Sequence, residues 1–276
     1  MRILSWKLFL EELVGEKPIS NYDQYIIDMS TTMLDKLFFL NEISFDVIVD
    51  FGCADGTFLE SISKSRPNVK IIGYDLDQTM LEKASHKLPE SSILTDDWNV
   101  VIKEISGYRN PLLNLSSVIH EVYSYSNSKS VNIFWNKQVF GGNFKYITIR
   151  DMMPSVELTR NEMNNFKDDA KKVRRKADKN YLLSFEEVWG SINVNYRNFI
   201  HFLLKYKYID NWQREVNENY LPITLETLKT KIPTEYAIIY EDDFVLPYLK
   251  QEVKKDFGVE LTHSTHVKMI LKNKSK

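Results

Sequence analysis

One cysteine, Cys53, stands in a chain of 276 residues. A lone thiol excludes an internal disulfide and a metal site built from cysteines alone. It fits a reducing compartment, so the expectation is a cytoplasmic protein. Long apolar runs are missing as well. The opening stretch MRILSWKLFLEELVGEKP is broken by Lys7, Glu11 and Glu12, and reads neither as a signal peptide nor as a membrane span. No later segment approaches about 18 uninterrupted apolar residues, and the nearest, residues 33–40, carries Asp35 and Lys36. No membrane association is expected. Net charge is almost absent too: 36 Lys and Arg face 38 Asp and Glu, for a balance of -2. That argues against a surface that grips nucleic acid throughout, while a local basic patch stays compatible with it. Fixed-period repeats and low-complexity tracts are also lacking.

What is present suffices for a sizeable core. Apolar residues make up 43% of the chain and aromatics 13%, with 15 Tyr and 15 Phe. The length suits one large domain, or a domain with a substantial insertion. Residues 1–45 read as an N-terminal helical cap: Tyr22, Tyr25, Ile26, Met29, Met33, Leu34, Leu37 and Leu40 recur at three- and four-residue steps. This stripe caps a core or, alternatively, closes over a substrate cleft.

From residue 46 the period changes. Short β-branched or apolar runs at residues 45–51, 69–74, 91–94, 112–118 and 146–149 read as strands. Helix-like stretches at 57–64, 78–87, 99–105 and 131–139 lie between them. Alternating strands and helices imply βαβ units and a parallel sheet with right-handed crossovers. The organisation expected is therefore an α/β core over 46–154, a helical insertion on the substrate side over 155–220, and completion of the core over 221–276. In the insertion, Phe166, Ala170, Val173, Ala177 and Tyr181 keep helical spacing, and a second helix is expected at 196–205. Residues 236–240 and 267–271 read as the last strands, with a helix at 246–255 between them.

The most informative stretch is Asp50-Phe51-Gly52-Cys53-Ala54-Asp55-Gly56, which follows a strand and opens a helix. Small residues at Gly52, Ala54 and Gly56 let backbone approach a ligand closely. Such a turn also serves nicotinamide and flavin sites, and Asp50 separates the cases. A dinucleotide places its pyrophosphate at this helix N-terminus, where a carboxylate would repel it. S-adenosylmethionine carries an ammonium and a sulfonium and no phosphate, so a carboxylate there assists binding. A second acid, Asp75, closes the next strand, where it can accept both ribose hydroxyls. Asp96 or Asp97 follows the third strand, in place for the adenine amino group, with Trp98 able to pack on the ring.

These residues resemble the first two motifs of the class I S-adenosylmethionine-dependent methyltransferases. The family's acid-x-Gly-x-Gly-x-Gly is here Asp50 to Gly56, with Ala54 at the middle glycine. Its Gly-x-Asp is Gly73-Tyr74-Asp75, and its Met-Leu and later Ala match Met80, Leu81 and Ala84. The resemblance covers residues 46–150 well and the final strands loosely. It implies a Rossmann-like, mostly parallel α/β sheet of seven strands with helices on both faces and the last strand antiparallel. It also implies S-adenosylmethionine as cofactor. The candidate cofactor set is Asp50, Gly52, Cys53, Ala54, Gly56, Asp75, Leu76, Asp96, Asp97, Trp98 and Ser116.

Methyl transfer from a sulfonium is chiefly a matter of positioning, and a base is needed only where the acceptor must lose a proton. The candidates follow the fourth strand and the fifth: His120 as a base or acceptor-positioning group, Glu121 to orient it or to start the next helix favourably, and Asp151 as a substrate contact. Arg150-Asp151-Met152-Met153-Pro154 is not the Asn/Asp-Pro-Pro-aromatic motif of amino-methylating nucleic-acid enzymes, and Cys53 lacks the Pro-Cys context of cytosine-C5 chemistry. His263 and His266 have metal-like spacing without a completing ligand, and Glu241-Asp242-Asp243 reads as a solvated turn, so no metal is expected. A small-molecule acceptor is preferred on net charge and aromatic content. RNA or DNA is the alternative, through Lys171, Lys172, Arg174 and Arg175. A non-catalytic module that keeps the fold, and a nucleotide- or NAD-dependent enzyme, are the readings from other classes. Asp50 speaks against the latter.

Overall fold

The computed structural model describes residues 33–156 and 166–276. Most of the expected N-terminal cap, including Tyr22, Tyr25, Ile26 and Met29, lies outside these residues. What is described begins with a short helix, α1 (Met33–Lys36), followed by β1 (Val47–Phe51).

The strands β1, β2 (Lys70–Tyr74), β3 (Ile93–Thr95), β4 (Pro111–Ser116), β5 (Tyr146–Met152), β6 (Tyr236–Phe244) and β7 (His266–Asn273) form one seven-stranded sheet. Its order is β3-β2-β1-β4-β5-β7-β6. The pairs among β1 to β5 are parallel, and β7 runs antiparallel to both β5 and β6. This is the Rossmann-like α/β sheet with one antiparallel strand that the resemblance implies.

The strands read as apolar runs because both faces are buried. Side chains alternate between the faces. Val47, Val49, Leu113, Leu115, Ile147 and Ile149 enter one core, and Ile48, Ile71, Leu112 and Ile270 the other. The second core also takes Phe39, whose ring lies 5.9 Å from Phe45 and 6.4 Å from Phe58, so the chain around α1 closes this face. Helices α2 (Thr57–Ser65), α3 (Gln78–Ser85) and α4 (Trp98–Ile105) follow the first three strands. After β4 come α5 (Ile119–Tyr125), α6 (Ser128–Ile133) and a π-helical turn (Phe134–Val139), where one helix over 131–139 is expected.

A third core gathers α7 (Phe166–Lys176), α8 (Lys179–Trp189), α9 (Tyr196–Lys205) and the short α10 (Trp212–Glu215). Leu249, Val253 and Phe257, on α12 (Pro247–Phe257), belong to it too. This helix therefore joins the insertion's core, rather than only completing the sheet. Between them, α11 (Leu225–Lys231) returns the chain to the sheet. No helix among the described residues is long and apolar enough to cross a membrane.

One local expectation is overturned. Glu241-Asp242-Asp243 is not a turn: these residues extend β6 and pair with Met269, Lys268 and Val267. The apolar residues stop at Tyr240, although Ile238 and Ile239 before it are already exposed, and backbone pairing continues through the acids.

Candidate cofactor and acceptor site

Parallel strands bring the C-terminal ends of β1, β2, β4 and β5 to one edge of the sheet, where ligands of open α/β folds bind. The loop after β1 is held by main chain: the N–H groups of Gly52 and Cys53 both donate to the Tyr74 carbonyl, at 2.8 and 3.1 Å. Gly52 has φ +75, and a Cβ there would meet Val118 Cγ2 at 2.9 Å. Ala54 also takes a left-handed conformation, φ 45, so the alanine at the family's middle glycine sits in strained backbone. Gly56 (φ +77) lies against α3, where an added Cβ would meet Ala84 Cβ at 2.9 Å and Cα at 3.1 Å. Gly56→Ala combines left-handed strain with overpacking. It is expected to cost about 2–4 kcal/mol in a urea melt, and a loss below about 1 kcal/mol would show that the two helices can part freely.

Asp50 is buried near the end of β1. A relay of buried side chains fixes it: Thr148 Oγ1 donates to Asn114 Oδ1 at 2.8 Å, and Asn114 Nδ2 donates to Asp50 Oδ1 at 2.8 Å. Burial pushes its carboxyl up to about 7, against the pull of Asn114 and of the Lys36 ammonium. Its second oxygen takes no hydrogen bond among the described residues. At the end of β4, the Ser116 hydroxyl is buried without a partner among the described residues. An acid in need of a cation and an orphaned hydroxyl suit the methionine end of S-adenosylmethionine.

Asp75 accepts from Ala54 N at 2.8 Å and from Asp77 N at 3.0 Å. It links the first loop to the second while each oxygen keeps a lone pair for a hydroxyl. Burial raises its carboxyl pKa and these backbone bonds oppose the rise. Beside it, Leu76 packs on the core. Asp96 accepts from Gln78 Nε2 at 2.8 Å. Asp97 caps α4 through Asn99 N at 2.9 Å, which accounts for it structurally. The Trp98 ring stands edge-on to Tyr74 and Phe51, 5.0 and 5.3 Å between centroids, and its indole N–H is buried without a partner among the described residues. Cys53 is a buried thiol whose pKa burial pushes up, so it is inert packing.

The acceptor side departs from expectation. His120 opens α5, and Asp151 orients it rather than Glu121: Nδ1 lies 2.8 Å from Asp151 Oδ1. Asp151 also accepts from Ile119 N at 2.6 Å and Met152 N at 2.7 Å. Glu218 Oε2 lies 3.7 Å from His120 Nε2. Burial opposes charge on the imidazole, but the two carboxylates prevail and raise His120 to about 9. At neutral pH it is an imidazolium, a donor rather than a base.

Glu121 pairs instead with Arg214 Nη2 at 2.9 Å, and Arg214 Nε donates to Glu218 Oε1 at 2.8 Å. Tyr125 Oη donates to the same Glu218 oxygen. His120, Glu121 and Glu218 bring ligand-type atoms within 4.8 Å of one another, but Arg214, Tyr125 and Asp151 already engage them. Glu218, Arg214 and Tyr125 escaped the sequence reading because the insertion supplies two of them, 93 residues from Tyr125 in the Tyr125–Glu218 bond.

The remaining candidates scatter. Lys171 and Lys172 pair with Asp168 and Asp169 of their own helix, and Arg174 turns to Glu186 of α8, leaving Arg175 exposed. His263 meets the Tyr196 hydroxyl at 3.0 Å, and His266 the Thr265 hydroxyl at 2.8 Å. A surface recess of about 460 Å³, lined by Ser128, Lys129, Asn132, Ile133, Asn136 and Lys137, contains none of the candidate residues.

No protein-family model matches the chain, and no curated protein matches its sequence. Solved structures do resemble it. A SAM dependent methyltransferase from Archaeoglobus fulgidus is 15% identical, with 92% of this chain and 100% of that one covered, at a TM-score of 0.46. The methyltransferase domain of bacterial CtHen1-C is 14% identical, with 87% and 96% covered, at 0.45. The plantazolicin methyltransferase BamL, solved with a triazolic desmethylPZN analog and SAH, is 9% identical, with 89% and 84% covered, at 0.44. These likenesses are distant and leave the acceptor open.

Proposed function

We propose that the chain is an S-adenosylmethionine-dependent methyltransferase acting on a small molecule. The observation that carries the reading is Asp50: a buried carboxylate, fixed by Asn114, with an open oxygen directly before the Gly52 turn. It favours a cationic ligand and disfavours a pyrophosphate. When bound, the cofactor supplies a methyl group activated by the sulfonium. Asp50 takes the ammonium, Ser116 offers a hydroxyl, Asp75 holds the ribose and Asp96 faces the adenine amino group. His120 donates a charged hydrogen bond that positions the acceptor, with Glu218 and Asp151 fixing the ring. Pairing of Lys171, Lys172 and Arg174 within the insertion leaves little free positive charge for a phosphate backbone, which favours a small acceptor over RNA or DNA. The balanced charge and single thiol suit a cytoplasmic enzyme.

Calorimetric titration tests the cofactor. Wild type is expected to bind S-adenosylmethionine and S-adenosylhomocysteine, and not NAD or ATP. Asp75→Ala is expected to weaken binding about 10- to 100-fold. A folded wild type that binds neither ligand refutes the reading. Binding without methyl incorporation into any acceptor would favour the non-catalytic alternative.

A further inference from the structure

The turn from β4 into α5 touches both sides of the site. Ser116 ends β4, and His120 is the second residue of α5. Between them Val118 lies over Gly52, where an added Cβ would meet its Cγ2 at 2.9 Å. Ser117 is left-handed, φ 58. That conformation is strained for a residue with a Cβ, and it persists only where the surroundings impose it. Val118, which precedes the helix, supplies no side-chain cap.

Two consecutive residues of β5 supply what the turn lacks. Neighbouring side chains of a strand point to opposite faces, so the turn is gripped from both. Asp151 takes the first N–H of α5, from Ile119, together with the His120 ring. Arg150 takes Ser117: its carbonyl accepts from Ser117 N at 2.8 Å, and its Nη1 donates to Ser117 Oγ at 3.0 Å. The Arg150 side chain is buried, and it is fixed at its other edge by α1, where Nε donates to Asp35 Oδ2 at 2.9 Å. Asp35 is paired in turn with Lys268 of β7. A planar fork with one arm on Asp35 and another on Ser117 leaves that hydroxyl little freedom to turn.

We propose that Arg150 is a positioning residue, which clamps Ser117 in its left-handed conformation and so sets Ser116 toward the cofactor and His120 toward the acceptor, with Asp35 holding the clamp. This assignment rests on the methyltransferase reading above for the roles of Ser116 and His120. It ties a residue ahead of the first strand to both halves of the site, through Ser117 rather than through contact with either ligand.

A double-mutant cycle separates positioning from support of the fold. Glycine takes the left-handed conformation without strain, so Ser117→Gly removes the need for a clamp. Two quantities are read: affinity for S-adenosylhomocysteine by calorimetry, and the His120 titration by NMR of its ring nitrogens, which needs no ligand. Arg150→Met is expected to weaken S-adenosylhomocysteine about 10-fold. As α5 shifts from Asp151, the His120 titration should fall by about one pH unit from about 9. Loss of a neighbouring cation alone would raise it, so a fall reports movement of the turn. In the Ser117→Gly background the same replacement is expected to change affinity by less than about 3-fold and to bring no fall in the titration. Its cost in stability should remain there, because Asp35 still loses one of its two cations. Arg150→Lys keeps a cation beside Asp35 but has no second arm for Ser117; it should reproduce the pattern, and it serves where the Met variant fails to fold. Equal losses in the two backgrounds overturn the proposal, since Arg150 then acts otherwise than through Ser117. So does a folded Arg150 variant in which affinity or the titration stays at the wild-type value. A wild type that binds no S-adenosylhomocysteine removes the cofactor reading, and the titration alone then decides whether Arg150 clamps the turn.

Discussion

Asp151→Ala is expected to cost about 3–5 kcal/mol of stability. The carboxylate is fully buried, and three donors converge on it: the backbone N–H of Ile119, that of Met152, and the His120 imidazolium. Removing it strands all three in a space that water does not reach. The loss has a pH signature. His120 has a folded pKa of about 9 against an ordinary value of 6.5. A basic group whose pKa rises on folding stabilises the protein fully below the lower value, and that contribution fades as pH climbs through the upper one. Part of the penalty, roughly 2–3 kcal/mol, should therefore be present at pH 6 and gone by pH 10. Lys36, Asp50, Lys205 and Glu215 also have shifted pKa values. The difference between wild-type and Asp151→Ala urea melts, taken at each pH, cancels most of what they contribute. A penalty that is the same at both pH values would mean that the stranded N–H groups, and not the ion pair, account for the loss.

Lys205→Met is the second large effect, and it acts at a distance. The Lys205 ammonium is fully buried on α9 and donates to the backbone carbonyls of Glu215 and Glu218, the latter at 2.6 Å. It lies 3.9 Å from the centroid of the Tyr220 ring. One side chain thus gathers the turn that delivers Glu218 to His120. Truncation leaves two buried carbonyls without a donor and Glu215 without its cation. A loss of about 2–4 kcal/mol is expected. Because the turn relaxes, Glu218 should withdraw from His120, and the His120 titration, followed by NMR of its ring nitrogens, should move down from about 9. Lys205 is a positioning residue on this account. An unchanged His120 titration in a variant that is nonetheless destabilised would limit Lys205 to the insertion's own core.

The two sides of the site were unequally legible in the sequence. Asp50, Gly52, Gly56 and Asp75 stand in one strand-turn-helix unit and the next, where spacing along the chain becomes spacing in space. A buried parallel sheet writes its strands as apolar runs, so β1, β2, β4 and β5 were readable. The acceptor side is assembled from segments far apart in the chain. No local pattern tells that Glu218 will face His120, or that Arg214 rather than His120 will take Glu121. Asn114 and Thr148 were hidden for another reason: within apolar strands they look like interruptions, and only the register of β4 with β5, which pairs these two residues, shows that they touch. Lys36 read only as a charge within the short apolar run 33–40, since its burial leaves no mark on periodicity.

The exposed half of β6 has a bearing on how the molecule behaves in a crowd. β6 ends the strand order, so among the described residues one row of its backbone groups has no strand beside it. Ile238 and Ile239, half exposed there, would invite a strand from another copy. The register slips between Ile238 and Tyr240, and three consecutive acids follow. A second β6 laid alongside would meet a kinked ladder and set carboxylate against carboxylate. The residues that looked like a turn in the sequence therefore set three acids on the outer strand of the sheet, a charge that opposes pairing with a second copy of the same strand.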